Sequence, residues 1–238
     1  MNGLKRDIYH LKNIEKFIKN KKYSKQILIF CLPFTLIDFF RQNIKTKSIK
    51  IGSQDVSDRT ESFGAHTGSI SAKMIKDLKC DFTIIGHSEK RASGDTDFKV
   101  SKKIEVATNN SLNVILCVGE SLNEYKNKKS FSIVKNQLKK ALDKNKSKLN
   151  KIIIAYEPIW SIGTGLVPSV EYLNSFYDKL SMYLKKDYKK NIPLLYGGSV
   201  SSKNIKNFVN IKKCSGFLIG GASLKSKDYI DIIKNYYS

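Results

Sequence analysis

The chain has 238 residues, of which 41% are hydrophobic, and carries a formal net charge of +22 at pH 7. This length and composition allow a sizeable core in a single domain over residues 1–238. No signal peptide opens the chain and no apolar run approaches the roughly 18 residues of a membrane-spanning helix, so we expect a soluble, cytoplasmic protein without a membrane partner.

The predicted elements alternate between strands and helices along the chain. A turn-like Met1-Asn2-Gly3 and a helical stretch to about Asn20 come first. Short apolar runs then predict strands at Ile27–Leu32, Ile49–Gly52, Phe82–Gly86, Val114–Val118, Ile152–Tyr156, Pro193–Tyr196 and Phe217–Ile219. Helical spacing of apolar residues marks stretches between them, including Asp97–Asn109, Ser130–Asp143, Val170–Lys185 and Lys203–Val209. Eight helices and seven strands in alternation predict a parallel sheet.

The basic residues and the cysteines argue against two classes of function. Only four of the 43 basic residues are arginines, and the lysines are scattered along predicted helix faces, which favours solvated helices over a nucleic-acid site. The four cysteines, at positions 31, 80, 117 and 214, form no CxxC pair and lie in or beside apolar runs. We therefore expect reduced core thiols and neither a zinc site nor a disulfide framework.

A candidate general base follows the fifth predicted strand. Ile152–Tyr156 is continuously apolar, as expected of a strand covered on both faces, and Glu157 comes directly after it. Gly163 and Gly165 give the next segment backbone freedom, while Trp160 supplies apolar bulk, a combination that suits a closing lid. Taken alone, the segment fits an ordinary loop with a solvated glutamate equally well.

Three further features follow other predicted strands. His87 leaves the third strand and precedes Ser88, which is suited to capping a helix. A neutral imidazole there could polarise a carbonyl, although a purely structural histidine is an alternative. Paired glycines in Tyr196–Val200 and Ile219–Ser223 allow backbone N–H groups to approach an anion closely. Two such loops after the last two strands fit the phosphate site of many barrels.

These segments resemble the signatures of the triosephosphate isomerase family, in the family's order. The matching segments are Gly64–Gly68, Gly86–Arg91, Cys117–Glu120, Ala155–Gly165, Tyr196–Val200 and Gly216–Leu224. The resemblance implies an α/β fold, the (β/α)8 TIM barrel, and interconversion of dihydroxyacetone phosphate and D-glyceraldehyde 3-phosphate through an enediolate. It also implies a homodimer that needs no metal and no cofactor.

The resemblance assigns roles residue by residue. Glu157 matches the base that moves the proton, and His87 matches the electrophile that polarises the carbonyl. Glu89 matches a carboxylate that orients the site, and Thr67 matches the loop tip that reaches into a partner subunit. The residues matching backbone donors to the substrate phosphate are Gly163, Ser199, Gly220 and Gly221.

The beginning of the chain departs from the family pattern. In the family the first strand ends in Asn-Trp-Lys-Met-Asn-Gly, whereas this sequence starts at Met-Asn-Gly. We therefore expect a barrel that lacks the first strand and the lysine beside the substrate, either because an internal methionine was taken as the start or because the protein lacks them. Two other functions stay open: another phosphosugar-binding barrel, and a catalytically impaired or moonlighting phosphate-binding barrel.

Overall fold

The computed structural model describes residues 2–20, 23 and 26–238. The strands are β1 (Leu28–Leu32), β2 (Ile49–Ser53), β3 (Phe82–Ile85), β4 (Asn113–Val118), β5 (Ile152–Tyr156), β6 (Leu194–Tyr196) and β7 (Gly216–Phe217). The α-helices are α1 (Ile8–Ile18), α2 (Phe34–Asn43), α3 (Ala72–Asp77), α4 (Ser88–Ala92), α5 (Asp97–Asn109), α6 (Leu122–Lys126), α7 (Ser130–Leu142), α8 (Val170–Tyr188), α9 (Ile205–Phe208) and α10 (Ser226–Tyr236).

The seven strands form one parallel sheet in the order β1-β2-β3-β4-β5-β6-β7. Its longest pairing is in the middle, where Val114 to Val118 of β4 lie opposite Ile152 to Tyr156 of β5. Among the described residues, β1 and β7 each have a single strand neighbour, and residues 2–20 contain no strand. The predicted α/β barrel that lacks one strand is therefore confirmed.

The helices and the last strand differ in detail from the sequence prediction. The described ranges contain ten α-helices rather than eight, partly because short helices α4 and α6 precede the longer α5 and α7. A capping box at Ser121 and Glu124 starts α6, a signal that periodicity does not register. The last strand is Gly216–Phe217 rather than Phe217–Ile219, since its ladder to β6 ends there. Leu218 N still donates to Tyr196 O at 2.9 Å.

The apolar core forms two layers, one on each face of the curled sheet. The larger layer lies between the strands and the helices, and the smaller fills the inside of the curled sheet around Ile115, Cys117 and Ala155. Side chains packed against this inner cluster are only partly buried: Ile29, Cys31, Phe82, Ile84, Leu195 and Leu218. No helix in the described ranges is long and apolar enough to cross a membrane.

The parallel arrangement places the loops that follow the strands at one end of the sheet. In α/β folds this end carries the ligand-binding site. The predicted site residues after β3, β5, β6 and β7 lie at this end, in the loops or, for Glu89, in the first turn of α4.

Candidate active site

Glu157 is the first residue after β5 and is only 3% exposed. Its backbone N–H donates to Val118 O at 2.8 Å, which holds the strand end against β4. Two glycines make room for it. A Cβ at Gly119 would overlap the Glu157 carbonyl, and one at Gly197 would lie 2.7 Å from Glu157 Cγ. The backbone around this carboxylate is therefore packed too closely for any side chain at these two positions.

His87 lies beside Glu157, although their strands β3 and β5 are separated by β4. The imidazole Nε2 is 3.4 Å from Glu157 Oε1. His87 is the N-cap of α4, and its Nδ1 accepts a hydrogen bond from the backbone N–H of Glu89 at 3.3 Å. Because Nδ1 is an acceptor, a neutral ring carries its proton on Nε2, the atom that faces Glu157.

The Glu89 side chain takes little part in this contact. Its carboxylate is 84% exposed and lies 4.0 Å from His87 Nδ1. Its backbone N–H makes the shorter contact with the ring. The predicted orienting role of the Glu89 carboxylate stays a prediction.

Opposing influences act on the pKa of Glu157. Burial is the largest and raises the pKa, while His87, the Cys117 thiol, the Ser88 backbone N–H and the Arg91 charge lower it. The net shift is upward from the ordinary value of a glutamate. Burial, followed by the adjacent Glu157 charge, raises the pKa of Cys117 well above its usual value, so this residue remains a thiol. A carboxylate with a raised pKa is suited to general-base catalysis.

The segment after Glu157 is hydrogen-bonded to the buried carboxylate of Glu120, a residue to which the sequence analysis gave no role. Glu120 is fully buried, and its Oε1 accepts hydrogen bonds from Trp160 Nε1 at 3.0 Å and from Tyr156 OH at 3.1 Å. Its other oxygen has no hydrogen-bond partner among the described residues. Glu120 thus anchors the only tryptophan of the chain. A glutamate in an otherwise apolar strand end was the available sequence signal.

The tip of the predicted lid stands away from the rest of the protein. Gly163, Thr164 and Gly165 are exposed, and nothing lies within 4 Å of a Cβ built on either glycine. Both glycines have left-handed φ angles, +69° and +77°, which side chains adopt only with strain. Thr164 Oγ1 donates to Trp160 O at 2.9 Å and so closes the tip on itself. This geometry fits a small, self-contained lid.

The two glycine-pair loops follow β6 and β7. In the first, Ser199 donates both its hydroxyl and its backbone N–H to Ser161 O, at 2.6 and 3.2 Å, and so contacts the base of the lid. In the second, Gly220 and Gly221 are exposed, and Ser223 Oγ donates to Gly220 O at 2.7 Å. The structure therefore brings Glu157, His87 and the Ser199 loop together directly, and places Gly220 and Gly221 at the same end of the sheet.

Thr67 lies apart from this group, in the exposed loop between β2 and α3. In the same loop, Phe63 is 77% exposed, the highest value among the large hydrophobic side chains of the described residues. The hydrogen bond from Ser57 N to Ile70 O, at 3.0 Å, closes the base of the loop. The loop thus projects from the protein as a defined unit.

Comparisons with known proteins identify the family of this chain. The sequence model of the family described as triosephosphate isomerase matches residues 1–236. A triosephosphate isomerase of Mesomycoplasma hyorhinis is 37% identical over 218 residues, which cover 91% of this chain and 86% of the relative. The enzyme of Mycoplasma mobile is 40% identical, and the match covers 90% of this chain and 86% of the relative. The enzyme of Neurospora crassa is 36% identical, and the match covers 98% of this chain and 94% of the relative. With matches of this extent and identity, the chain belongs to the triosephosphate isomerase family.

Proposed function

We propose that this chain interconverts dihydroxyacetone phosphate and D-glyceraldehyde 3-phosphate, the isomerisation for which its family is named. The observation that carries the proposal is the pair formed by buried Glu157 and His87, with Nε2 and Oε1 3.4 Å apart. Isomerisation needs a base beside the carbon that loses a proton and a donor beside the carbonyl oxygen. The pair supplies both groups at one point.

Each member of the pair has a distinct role. Glu157 removes a proton from the carbon next to the carbonyl and returns it to the neighbouring carbon. Its raised pKa makes the carboxylate a stronger base, and the protonated form a suitable donor for the return step. His87 polarises the carbonyl through Nε2–H and protonates that oxygen in the enediolate. It then takes the proton from the neighbouring hydroxyl, so that the new carbonyl forms on the other carbon and the imidazole regains its proton. Glu157 and His87 together carry out the proton transfers and stabilise the developing charge, so the proposal assigns no step to a metal or a cofactor.

The remaining predicted residues hold the phosphate group and exclude water. Backbone N–H groups of Gly163, Ser199, Gly220 and Gly221 bind the phosphate in this proposal, and the Glu89 carboxylate helps to orient the site. The Ser199 N–H, which donates to Ser161 O at 3.2 Å in the structure, is released for the phosphate when the lid closes. Phosphate binding provides remote binding energy to close the lid. A closed lid keeps water from the enediolate, which would otherwise eliminate its phosphate.

Partners and location follow the same proposal. The chain acts as a single domain over residues 1–238, in the cytoplasm and in the glycolytic pathway. The Thr67 loop, with its exposed Phe63, enters a second copy of the chain to form a homodimer. Nucleic acid is not a partner, because the positive charge is spread over lysines on many helices.

The two alternatives explain fewer observations. In another phosphosugar-binding barrel, the contact between Glu157 and His87 would have no common task. In an impaired or moonlighting barrel, burial of the Glu157 carboxylate, which raises its pKa, would destabilise the fold and contribute nothing to catalysis.

The test compares Glu157→Gln with the wild-type chain in an assay that follows glyceraldehyde 3-phosphate conversion. Loss of the general base should lower kcat by at least about 10²-fold, with little change in KM. The matched control is Glu171→Gln, which neutralises an exposed glutamate in the first turn of α8. A Glu157→Gln variant that retains most of its kcat, or a wild-type chain without isomerase activity, would contradict the proposal.

A further inference from the structure

Arg91 lies in α4, and its guanidinium contacts two adjacent strand ends. Nε donates to Gly86 O at 2.8 Å, next to β3, and Nη2 donates to Cys117 O in β4 at 3.4 Å. Nη1 donates to Asp97 Oδ1 at 2.8 Å. The side chain is only 17% exposed. All three nitrogens of the guanidinium thus have partners in the fold.

The two carbonyl acceptors belong to residues that flank the catalytic pair. Gly86 immediately precedes His87, so the Nε contact holds the backbone from which the imidazole extends. Cys117 immediately precedes Val118, whose carbonyl accepts the backbone N–H of Glu157 at 2.8 Å, so the Nη2 contact holds the strand end beside the base. A planar guanidinium with donors at set angles keeps two such acceptors at a constant separation, which a lysine ammonium does not.

Gly86 allows this close approach. Its φ of +74° lies in the left-handed region, and a Cβ there would lie 3.1 Å from both Arg91 Nη2 and Cys117 O. Any side chain at this position would therefore compete with the guanidinium for the space between β3 and β4. The glycine and the arginine form one structural unit.

We propose that Arg91 is a positioning residue for the isomerisation, because its guanidinium bridges Gly86 and Cys117 and so sets the distance between His87 and Glu157. This inference rests on the proposed function. Arg91 does not contact the reacting atoms and acts through the two strand ends. Asp97 in turn holds the guanidinium in the orientation that reaches both carbonyls.

The kinetic test uses two variants. Arg91→Met removes the charge and the donors, and Arg91→Lys keeps the charge but loses the planar set of guanidinium donors. Since a misplacement of about 1 Å costs on the order of 10²-fold in rate, Arg91→Met should lower kcat by about that factor. KM should change less than about threefold, because the phosphate loops follow other strands. The matched control is Lys140→Met, since exposed Lys140 also binds Asp97, at 3.1 Å, without touching either carbonyl. This control should keep its kcat within about twofold.

The pH profile separates charge from geometry. The titratable or charged groups that act on Glu157 are His87, Cys117 and Arg91, and the arginine lowers the pKa of the glutamate. In Arg91→Met that pKa should rise, so the acid limb of kcat/KM should move to higher pH. In Arg91→Lys the limb should stay near its wild-type position while kcat still falls. A purely structural defect would lower the amount of active enzyme without moving the limb.

A measurement that needs no activity distinguishes failure of this inference from failure of the proposed function. The chain has three histidines, so the His87 ring signals in an NMR spectrum can be assigned with His10→Gln and His66→Gln variants. Arg91→Lys should shift the His87 signals, and Lys140→Met should not. Unchanged His87 signals in Arg91→Lys, or a kcat in both Arg91 variants equal to that of Lys140→Met, would overturn the inference even if the wild-type chain is a fully active isomerase.

Discussion

Lys103 is a buried cation in α5, and replacing it should destabilise the fold strongly. Its Nζ is 2.7 Å from Asp55 Oδ1 and 2.7 Å from Asp95 Oδ2, and its side chain is 6% exposed. Lys90 lies 3.1 Å from the other oxygen of Asp55. This cluster joins the loop after β2 to α4 and α5, the helices on either side of the loop that contains Asp95.

Lys103→Met keeps most of the side-chain volume but leaves two carboxylates without their shared partner. Breaking a buried ion pair by removing one member costs about 3–5 kcal/mol. Because Lys90 remains beside Asp55, we expect the lower end of that range, about 3 kcal/mol. A change of 1 kcal/mol shifts Tm by about 2–4 °C in a chain of this size, so Tm should fall by about 6–12 °C.

Thermal unfolding followed by circular dichroism measures this effect. The control is Lys102→Met, one residue away, which removes a 38% exposed lysine paired with Glu105 at 3.2 Å and should cost less than about 1 kcal/mol. Adding Asp95→Asn to Lys103→Met should recover part of the loss, because it removes one uncompensated charge. Equal Tm values for the two lysine variants would refute the reasoning.

Two further predictions concern the lid and the open sheet. Replacing residues 162–165 with a shorter, stiffer link should let water reach the enediolate and raise the ratio of methylglyoxal to isomerised product, and an unchanged ratio would mean that this segment does not seal the site. An engineered extension before Met1, with an apolar strand that ends in Asn-Trp-Lys, should pair with β1 and β7, slow amide exchange in both strands and raise kcat by about 10²-fold or more. Amides of β1 and β7 that exchange at the original rate would contradict the second prediction.

The parts of the fold that depend on local sequence were predictable. The continuous apolar run 152–156 is observed as β5 with the same bounds, and α5 has the predicted limits Asp97–Asn109. Glu157 and His87 were both predicted at the ends of strands, and parallel strands bring their carboxyl ends to one side of the sheet. Strand periodicity and position at a strand end are both visible in a short window of sequence.

The contacts that support the site could not be predicted in this way. Arg91 binds a carbonyl 26 residues away, Trp160 a carboxylate 40 residues away, and Lys103 a carboxylate 48 residues away. Each partner is an ordinary polar residue or a backbone atom in its own sequence context. These residues become partners only when distant elements pack together. In the sequence, buried Lys103 therefore looks like any other lysine on a helix face.

The gap in the sheet between β1 and β7 should affect the phosphate-binding loop after β7 more than the pair formed by His87 and Glu157. His87 and Glu157 follow β3 and β5, strands that are paired on both sides, and Arg91 joins β3 to β4. Gly220 and Gly221 instead follow β7, a two-residue edge strand with β6 as its described neighbour. Backbone at an unpaired edge opens at lower free energy than backbone in the middle of a sheet. The gap between β1 and β7 should therefore weaken phosphate binding and raise KM. It should change the distance between His87 and Glu157 less.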